Sequence, residues 1–455
     1  MTIALRPYQA ASIEDIRTAF QLHRRVLLVS PTGSGKTVMF SYLARSVIAK
    51  GKRVYILVHR DELVDQVSKT LADFDVEHGF IAAGRPHAPM QVMVCSVFTL
   101  ANRIQNYARP DLIVIDEAHH AASGSTWARV LSYWADPYKL GVTATPIRLD
   151  GRDLTGQFDC LVEGPTVGRL IEQGDLCKYR MYTPPVVLGQ LRMRMGDYVK
   201  SDIAKAIDKP SITGDAVAHY TRLAAGKRAL VFCASLEHAA HTRDAFNAAG
   251  YKFERIDGQM PKSERRSLVK RFSSGALHGL TSCDLVSEGF DMPAIEVAIL
   301  LRPTASLGLY LQQVGRALRN YPGKDYALIL DHAGNAGRHG LPDDEREWSL
   351  GDDKSKTRRP KKSALSVRTC KECYAAVRTG SASCPYCGFS FPQEPREIVE
   401  HSGQLEEVTG EIARAKMLAR QEVGRSRSLE ALVALEKQRG YRPGWAMHVF
   451  TSRRR

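Results

Sequence analysis

Residues 25–37 read RVLLVSPTGSGKT. The run RVLLV (25–29) is short and β-branched, as a buried parallel strand reads. SPTGSGKT (30–37) follows it directly and opens a helix, which is the strand–loop–helix context of a phosphate-binding loop. Gly33 and Gly35 let backbone N–H groups turn inward to cradle phosphate oxygens, with Thr32 and Ser34 completing the loop. Lys36 supplies a point charge to the β and γ phosphates. The Thr37 hydroxyl can ligate Mg²⁺, and the helix N-terminus favours an anion. Ser30 stands where the eight-residue pattern usually has glycine.

Outward from this loop, apolar runs recur at 54–58, 92–95, 112–115 and 140–143, with helical spacing at 37–50 and 61–72. Alternating strands and helices imply an α/β domain with a parallel sheet. IDEAHH (115–120) closes the run LIVI. Carboxylates at a strand's C-terminal end can meet the phosphate loop across such a sheet. Asp116 is placed to hold Mg²⁺ and Glu117 to orient or deprotonate an attacking water. Residues 150–215 are irregular and read as a connection with some helix. A second alternating block follows, with strands near 229–233, 253–256, 278–281, 295–301 and 326–331. Helices lie near 236–249, 262–273 and 306–319. Inside it, QQVGRALR (312–319) sets Arg316 and Arg319 on one helical face. They can reach a γ-phosphate held by the first block, as arginine fingers do.

The 455 residues, 44% hydrophobic and 25% charged, have ordinary globular composition and room for about three domains. No run reaches the ~18 apolar residues of a membrane span, and the first 20 residues lack a signal-peptide pattern. A cytoplasmic protein with no membrane partner is expected. The net charge of +15 favours a polyanion. Residues 351–455 carry 21 Lys+Arg against 12 Asp+Glu, so +9 of it sits there, and KSKTRRPKK (354–362) holds six basic residues in nine.

Of nine cysteines, Cys95, Cys160, Cys177, Cys233 and Cys283 are scattered and read as reduced, packed thiols. Cys370, Cys373, Cys384 and Cys387 form two C-x₂-C pairs ten residues apart. That spacing suits a closed tetrahedral Zn²⁺ site of structural type. Two redox pairs are the rival reading. With KSKTRRPKK the module is either an auxiliary contact for nucleic acid or protein, or a structural knob. His238 and His241 read as a solvated helix face. Trp445 is either a base-stacking residue or a packed tail residue.

The ordered set RPYQ (6–9), SPTGSGKT (30–37), VHRDEL (58–63), CSVFTL (95–100), DEAH (116–119), TAT (143–145), VFCAS (231–235), TSCDLVSEGFDMP (281–293) and QQVGRALR (312–319) resembles the superfamily 2 helicases with a DEAH box, over about residues 5–335. The RPYQ opening, IDEAHH and the cysteine module make the chain similar to RadD-like helicases and their phage and prophage relatives. The resemblance implies two tandem RecA-like domains that hydrolyse ATP with Mg²⁺. It implies that Gln9 reads adenine with Arg6 bracing it, and that Gly289 and Asp291 lie near the ribose and the ATP-responsive joint. It further implies that Thr143 and Thr145 couple hydrolysis to movement, and that His119 bonds across the interface with Gln312 as partner. It suggests a nucleic-acid path over His59, Arg60, Ser96 and Thr99 in the first block and Ser235, Thr281 and Ser282 in the second, binding backbone phosphates. Any of these hydroxyls can equally be a cap or turn residue.

The expected layout is a first RecA-like domain over 1–178, a connecting segment 179–212, a second RecA-like domain 213–342, a basic linker 343–364, a zinc module 365–395 and a helical basic tail 396–455. The expected activity is an ATP-driven DNA helicase or translocase in recombination, repair or replication. Its expected partners are single-stranded, forked or branched DNA, with proteins of those processes reached through the zinc module or tail. An RNA helicase, or an accessory ATPase that binds DNA without unwinding it, are the alternatives.

Overall fold

In the computed structural model, the described residues are 4–351 apart from 87, 122–125, 135, 147–153, 186–190, 195, 208–209, 284–291 and 293. Described beyond these are 367–391, 418, 422–423, 426, 428–441 and 445–452. The chain forms two compact units, residues 1–392 and 393–455.

The first lobe is built on β1 (Arg25–Val29), β2 (Val54–Val58), β3 (His78–Ile81), β4 (Val92–Ser96), β5 (Leu112–Asp116), β6 (Tyr138–Thr143) and β7 (Cys160–Glu163). They form one sheet of order β3-β4-β2-β5-β6-β1-β7, with every pairing parallel. Strand side chains alternate between faces. Val26 and Leu28 therefore pack with α1 (Pro7–Leu22), α2 (Lys36–Ile48) and α3 (Asp61–Asp73). Leu27 and Val29 pack on the other face with α4 (Val97–Arg103) and α5 (Thr126–Tyr133). Burial on both faces explains why these strands read as continuous apolar runs.

The second lobe repeats the plan. Its strands are β8 (Tyr179–Tyr182), then, after a small hairpin β9 (Met193–Arg194) and β10 (Asp197–Tyr198), β11 (Ala229–Phe232), β12 (Phe253–Ile256), β13 (Gly279–Ser282), β14 (Val297–Leu300) and β15 (Ala327–Asp331). The sheet order is β12-β13-β11-β14-β15-β8, again all parallel. Around it lie α6 (Val167–Glu172), α7 (Lys200–Ile207), α8 (Pro210–Ala224), α9 (Leu236–Ala248), α10 (Lys262–Ser273), α11 (Leu307–Ala317) and α12 (Asn335–His339).

Four expectations change. First, residues 160–182 are not a connection. β7 extends the first sheet beside β1, Leu170 of α6 lies in the second-lobe core, and β8 edges the second sheet beside β15. Short edge strands with half-exposed faces lack the apolar run that marks a central strand. Ile203 and Ile207 are likewise buried in the second-lobe core, inside the segment 179–212 read as connecting. Second, residues 343–351 are not a linker. Arg346 donates to the carbonyls of His339, Leu341, Pro342 and Asp344, while Leu154 N–H donates to Leu350 O at 3.0 Å on the first lobe. KSKTRRPKK itself lies outside the described residues.

Third, the cysteine module is no separate knob. Its hairpin β16 (Val367–Thr369) and β17 (Ala376–Arg378) joins the second lobe, and Cys370, Ala375, Val377, Cys384 and Phe391 share that lobe's core. Thr183 N–H donates to Tyr374 O at 2.8 Å, and Arg378 pairs with Asp343 and Asp344 at 2.8 and 3.0 Å. Fourth, His238 is fully buried, with Nδ1 accepting from Ala234 N–H at 3.3 Å, so its helix face is not solvated there.

The second unit contains α13 (Leu429–Arg439) and α14 (Trp445–Ser452). Ser428 caps α13 by accepting from Ala431 N–H, Glu436 accepts from Ala446 N–H at 2.6 Å, and Trp445 faces Tyr441 with ring centroids 4.3 Å apart. Trp445 thus packs within its own unit. Among the described residues no helix is long and apolar enough to cross a membrane.

Candidate active site

The phosphate loop leaves β1 at Ser30, whose N–H donates to Thr143 O at 2.9 Å. Gly33 and Gly35 have φ of 90° and 78°, a region that side chains with a Cβ avoid, so the tight turn into α2 needs glycine at both. Lys36 Nζ lies against the loop, donating to Ser30 O and Pro31 O at 3.0 and 3.2 Å. Burial lowers its pKa, the nearby Glu117 and Asp116 raise it, and Arg319 and Arg316 lower it again. The lysine, both carboxylates and both arginines therefore share one electrostatic site.

Asp116 is the last residue of β5 and buried. Its carboxyl is pushed well above the ordinary range, first by burial and then by the Glu117 charge, with Lys36 opposing. Glu117 follows at φ 49°, a left-handed turn that aims it away from the strand, and its N–H donates to Asp116 Oδ1 at 3.0 Å. His119 Nδ1 lies 3.4 Å from Glu117 Oε2 and 2.9 Å from Thr143 Oγ1. The Thr143 hydroxyl donates to Thr145 O at 2.8 Å and so accepts from His119. His119, Thr143 and Thr145 form one hydrogen-bonded chain within the first lobe, with the Glu117 carboxylate beside it. Gln312 lies across the cleft from it.

That cleft, about 390 Å³, is lined on the first lobe by Arg6, Thr32, Gly33, Gly35, Lys36, Thr37, Asp116 and Glu117. On the second lobe it is lined by Gln312, Arg316 and Arg319. Helix α11 reaches the phosphate loop because Gly315 has no side chain. A Cβ there would stand 2.7 Å from Thr32 Cβ. The structure brings together the phosphate-loop, DEAH and arginine positions singled out in the sequence. Gln9 is buried beside the loop, its Oε1 accepting from Arg6 N–H at 3.0 Å and its Nε2 donating to Ser34 O at 3.1 Å. Ser34 is buried, with its Oγ 2.7 Å from Ser30 Oγ. Gly289 and Asp291 lie outside the described residues. Sequence reasoning missed Gln66, Lys69, Asp175 and Asn320, which also line the cleft. None belongs to a motif singled out in the sequence.

The residues assigned to a nucleic-acid path divide. His59 and Arg60 follow β2, and Ser96 ends β4 with Thr99 just beyond, so these four share the C-terminal edge of the first sheet. The His59 and His120 rings lie against each other, tilted by 54° with centroids 4.6 Å apart. Ser235 caps α9 by accepting from His238 N–H at 3.0 Å. Thr281 and Ser282 are buried, and the Thr281 hydroxyl donates to Ala239 O at 2.8 Å. That bond engages the Thr281 hydroxyl inside the lobe. In the cysteine module the four sulfurs lie within 4.8 Å of one another. The Cys370–Cys387 and Cys373–Cys384 pairs are 3.6 and 3.7 Å apart, too long for disulfides.

Two RecA-like lobes that close a phosphate loop and a carboxylate pair against arginines define an ATPase of motor type. Residues 2–148 match the family model described as type III restriction enzyme, res subunit, and residues 213–321 match the helicase conserved C-terminal domain. The chain is 35% identical over 401 residues to a 51.5 kDa protein of Lactococcus phage (isolate 7-9), covering 88% of this chain and 85% of that one. It is 27% identical to IRC3 of Saccharomyces cerevisiae over 72% of this chain, and spans about half (51%) of IRC3. It is 24% identical to the DNA 3'-5' translocase XPB2 of Sulfurisphaera tokodaii, covering 72% of this chain and 81% of that one. The fold is similar to that of the ATP-dependent type ISP restriction-modification enzyme LlaBIII bound to DNA, at TM-score 0.55 and 19% identity, over 73% of this chain and 28% of that one. The chain belongs to the superfamily 2 helicases, enzymes that hydrolyse ATP in dependence on nucleic acid.

Proposed function

We propose that this protein is an ATP-dependent DNA translocase or helicase of RadD-like, phage or prophage type, working in the cytoplasm in recombination, repair or replication. The observation that carries the reading is the cleft itself, with Lys36, Asp116 and Glu117 on one lobe facing Gln312, Arg316 and Arg319 on the other. Lys36 and the loop amides hold the β and γ phosphates. Thr37 and Asp116 would hold Mg²⁺, for which the buried, charge-crowded Asp116 is suited, and the bound ion would supply charge neutralisation to the phosphates. Glu117 orients or deprotonates the attacking water. Arg316 and Arg319 stabilise the charge that develops on the phosphoryl oxygens. Because these groups belong to different lobes, ATP binding favours a closed seam and product release an open one. The chain His119–Thr143–Thr145, next to Glu117, carries the change toward the strand-binding edge, where His59, Arg60, Ser96, Thr99 and Ser235 contact DNA phosphates.

Four clustered sulfurs are a fitting donor set for one structural Zn²⁺. DNA is favoured over RNA by the relative named a DNA translocase, while the +15 charge suits either polyanion. One panel tests the proposal: ATPase and strand displacement on single-stranded, forked and branched DNA and on matched RNA, with Lys36→Ala as control. DNA-stimulated hydrolysis that Lys36→Ala abolishes, with displacement of a forked strand, is the expected result. RNA-only stimulation overturns the substrate, and undiminished hydrolysis by Lys36→Ala overturns the site.

A further inference from the structure

Just past the end of helix α6 stands Gly174, whose φ of 74° suits a glycine after a helix C-cap. The amides of Gly174, Asp175 and Leu176 return to Ile171 O, Leu170 O and Leu170 O at 3.1, 2.8 and 3.0 Å. The turn is fastened to the far end of α11. Cys177 N–H donates to Leu318 O at 2.8 Å, and Asn320 Nδ2 donates to Gly174 O at 2.7 Å. These anchors flank Arg319. From them the turn reaches the first lobe twice. Leu176 Cδ2 fills the space over Gly33, 2.9 Å from where a Cβ would stand. Asp175 Oδ1 accepts from Arg6 Nη1 at 2.9 Å, with the Asp175 carbonyl 3.4 Å from the same nitrogen. Arg6, Asp175, Arg319 and Asn320 all line the cleft.

We propose that Asp175 is a positioning residue of the nucleotide cleft. It holds the Arg6 guanidinium at the cleft wall, and its turn ties that placement to the arginine-bearing end of α11. The proposal rests on the reading of the cleft as the ATP site. Arg6 is half exposed and long, so unpaired it would spread over many rotamers. A carboxylate fixed by a hydrogen-bonded turn narrows that spread before an adenine nucleotide arrives. The guanidinium is then presented in one orientation, as a planar donor for the nucleotide. Because the turn is bonded to Leu318 and Asn320, a shift of α11 moves Asp175 and with it Arg6.

The test uses the full chain with saturating DNA and compares Asp175→Ala, Asp175→Asn and Asp175→Glu, each in the wild-type and Arg6→Ala backgrounds. Asp175→Ala and Asp175→Asn are expected to raise KM for ATP by about three-fold, the range of a partly exposed ion pair, with a smaller effect on kcat. Asp175→Glu restores most of the loss. In the Arg6→Ala background the Asp175 substitutions add nothing, because both act through one contact. An equal rise in KM in both backgrounds overturns the proposal, as does an effect on kcat or on the thermal midpoint alone. Affinity for a fluorescent ATP analogue that is unchanged by Lys36→Ala overturns the cleft reading itself, a result separate from any Asp175 effect that is independent of Arg6.

Discussion

Glu62 Oε1 of the first lobe lies 2.5 Å from Arg265 Nη2 of the second, across the seam. Lys262 pairs with Asp61, and Arg266 with Asp65 at 2.7 Å, on the same two helices. Carboxylates at the start of α3 suit that helix's dipole, whereas cations at the start of α10 oppose theirs and gain from acidic partners. The outer pairs are well exposed and contribute little. Arg265 is only 10% exposed, so the inner pair dominates. Glu62→Ala or Arg265→Ala is expected to weaken this lobe arrangement by about 1–3 kcal/mol, with the double variant well short of the sum. Fluorescence transfer between dyes on the two lobes reads the change. A distance distribution that is unmoved in both single variants would remove the pair from any role in holding the lobes.

Arg316 is buried at the seam, and both it and Arg319 act on the electrostatics of Lys36. Arg316→Ala is expected to lower kcat for ATP by about 10³-fold while nucleotide binding weakens far less, because the arginine acts on charge that develops only during transfer. Arg319→Ala follows the same direction with an added loss of binding, since Arg319 also touches the cleft wall next to Asn320. Steady-state ATPase kinetics with titrated nucleotide separate the two. If Arg316→Ala stays within five-fold of the wild-type kcat, the arginine-finger role is wrong.

What could be read from the sequence follows how each element is buried. Strands such as VYILV (54–58), buried on both faces, are continuous apolar runs, and the observed β2 has those bounds. Cys160–Glu163 and Tyr179–Tyr182 are edge strands of mixed polarity, and nothing local distinguishes them from a linker. The phosphate loop and DEAH box were legible because their chemistry fixes residue type and spacing. Asp175 was not, because its place in the cleft is set by Gly174, Asn320 and Leu318, and Asn320 lies 146 residues from Gly174 in the chain. Thr281 shows a different limit of the sequence. A threonine at a strand end fits a phosphate contact in sequence, but here its hydroxyl satisfies the Ala239 carbonyl inside the lobe.

The cysteine module shares a core with the second lobe, so metal loss should be felt beyond the module. Cys370 and Cys384 are buried in one core with Tyr182 and with Leu328 and Leu330 of β15. Without a metal, four thiols in this space lose the bonds that close the two turns. The purified chain is expected to hold about one Zn²⁺. Cys384→Ser or exhaustive chelation should lower the thermal midpoint of the second lobe by several degrees, and Arg378→Ala by less. Metal analysis together with calorimetry checks both. A chain that melts identically with and without metal would mean that the module adds no stability to its lobe.

Lys324 gives the fold a titration near neutrality. Its Nζ donates to Ile295 O and Arg319 O at 2.8 Å each and to Ala317 O, closing the end of α11 just past the arginines. Burial pulls its pKa down from 10.5 to about 8. Below that pH the lysine is charged in both folded and unfolded chains. Between about 8 and 10.5 the unfolded chain keeps its proton and the folded chain has shed it. The unfolded state then binds more protons, so this group makes stability rise with pH across that window. Lys324→Met removes the titration while keeping most of the apolar stem. The difference in urea midpoint between wild type and Lys324→Met is therefore expected to shift toward wild type as pH rises from 8 to 10.5. A difference that stays flat across that range would show that the three carbonyls hold the ammonium charged, at its ordinary pKa, despite the burial.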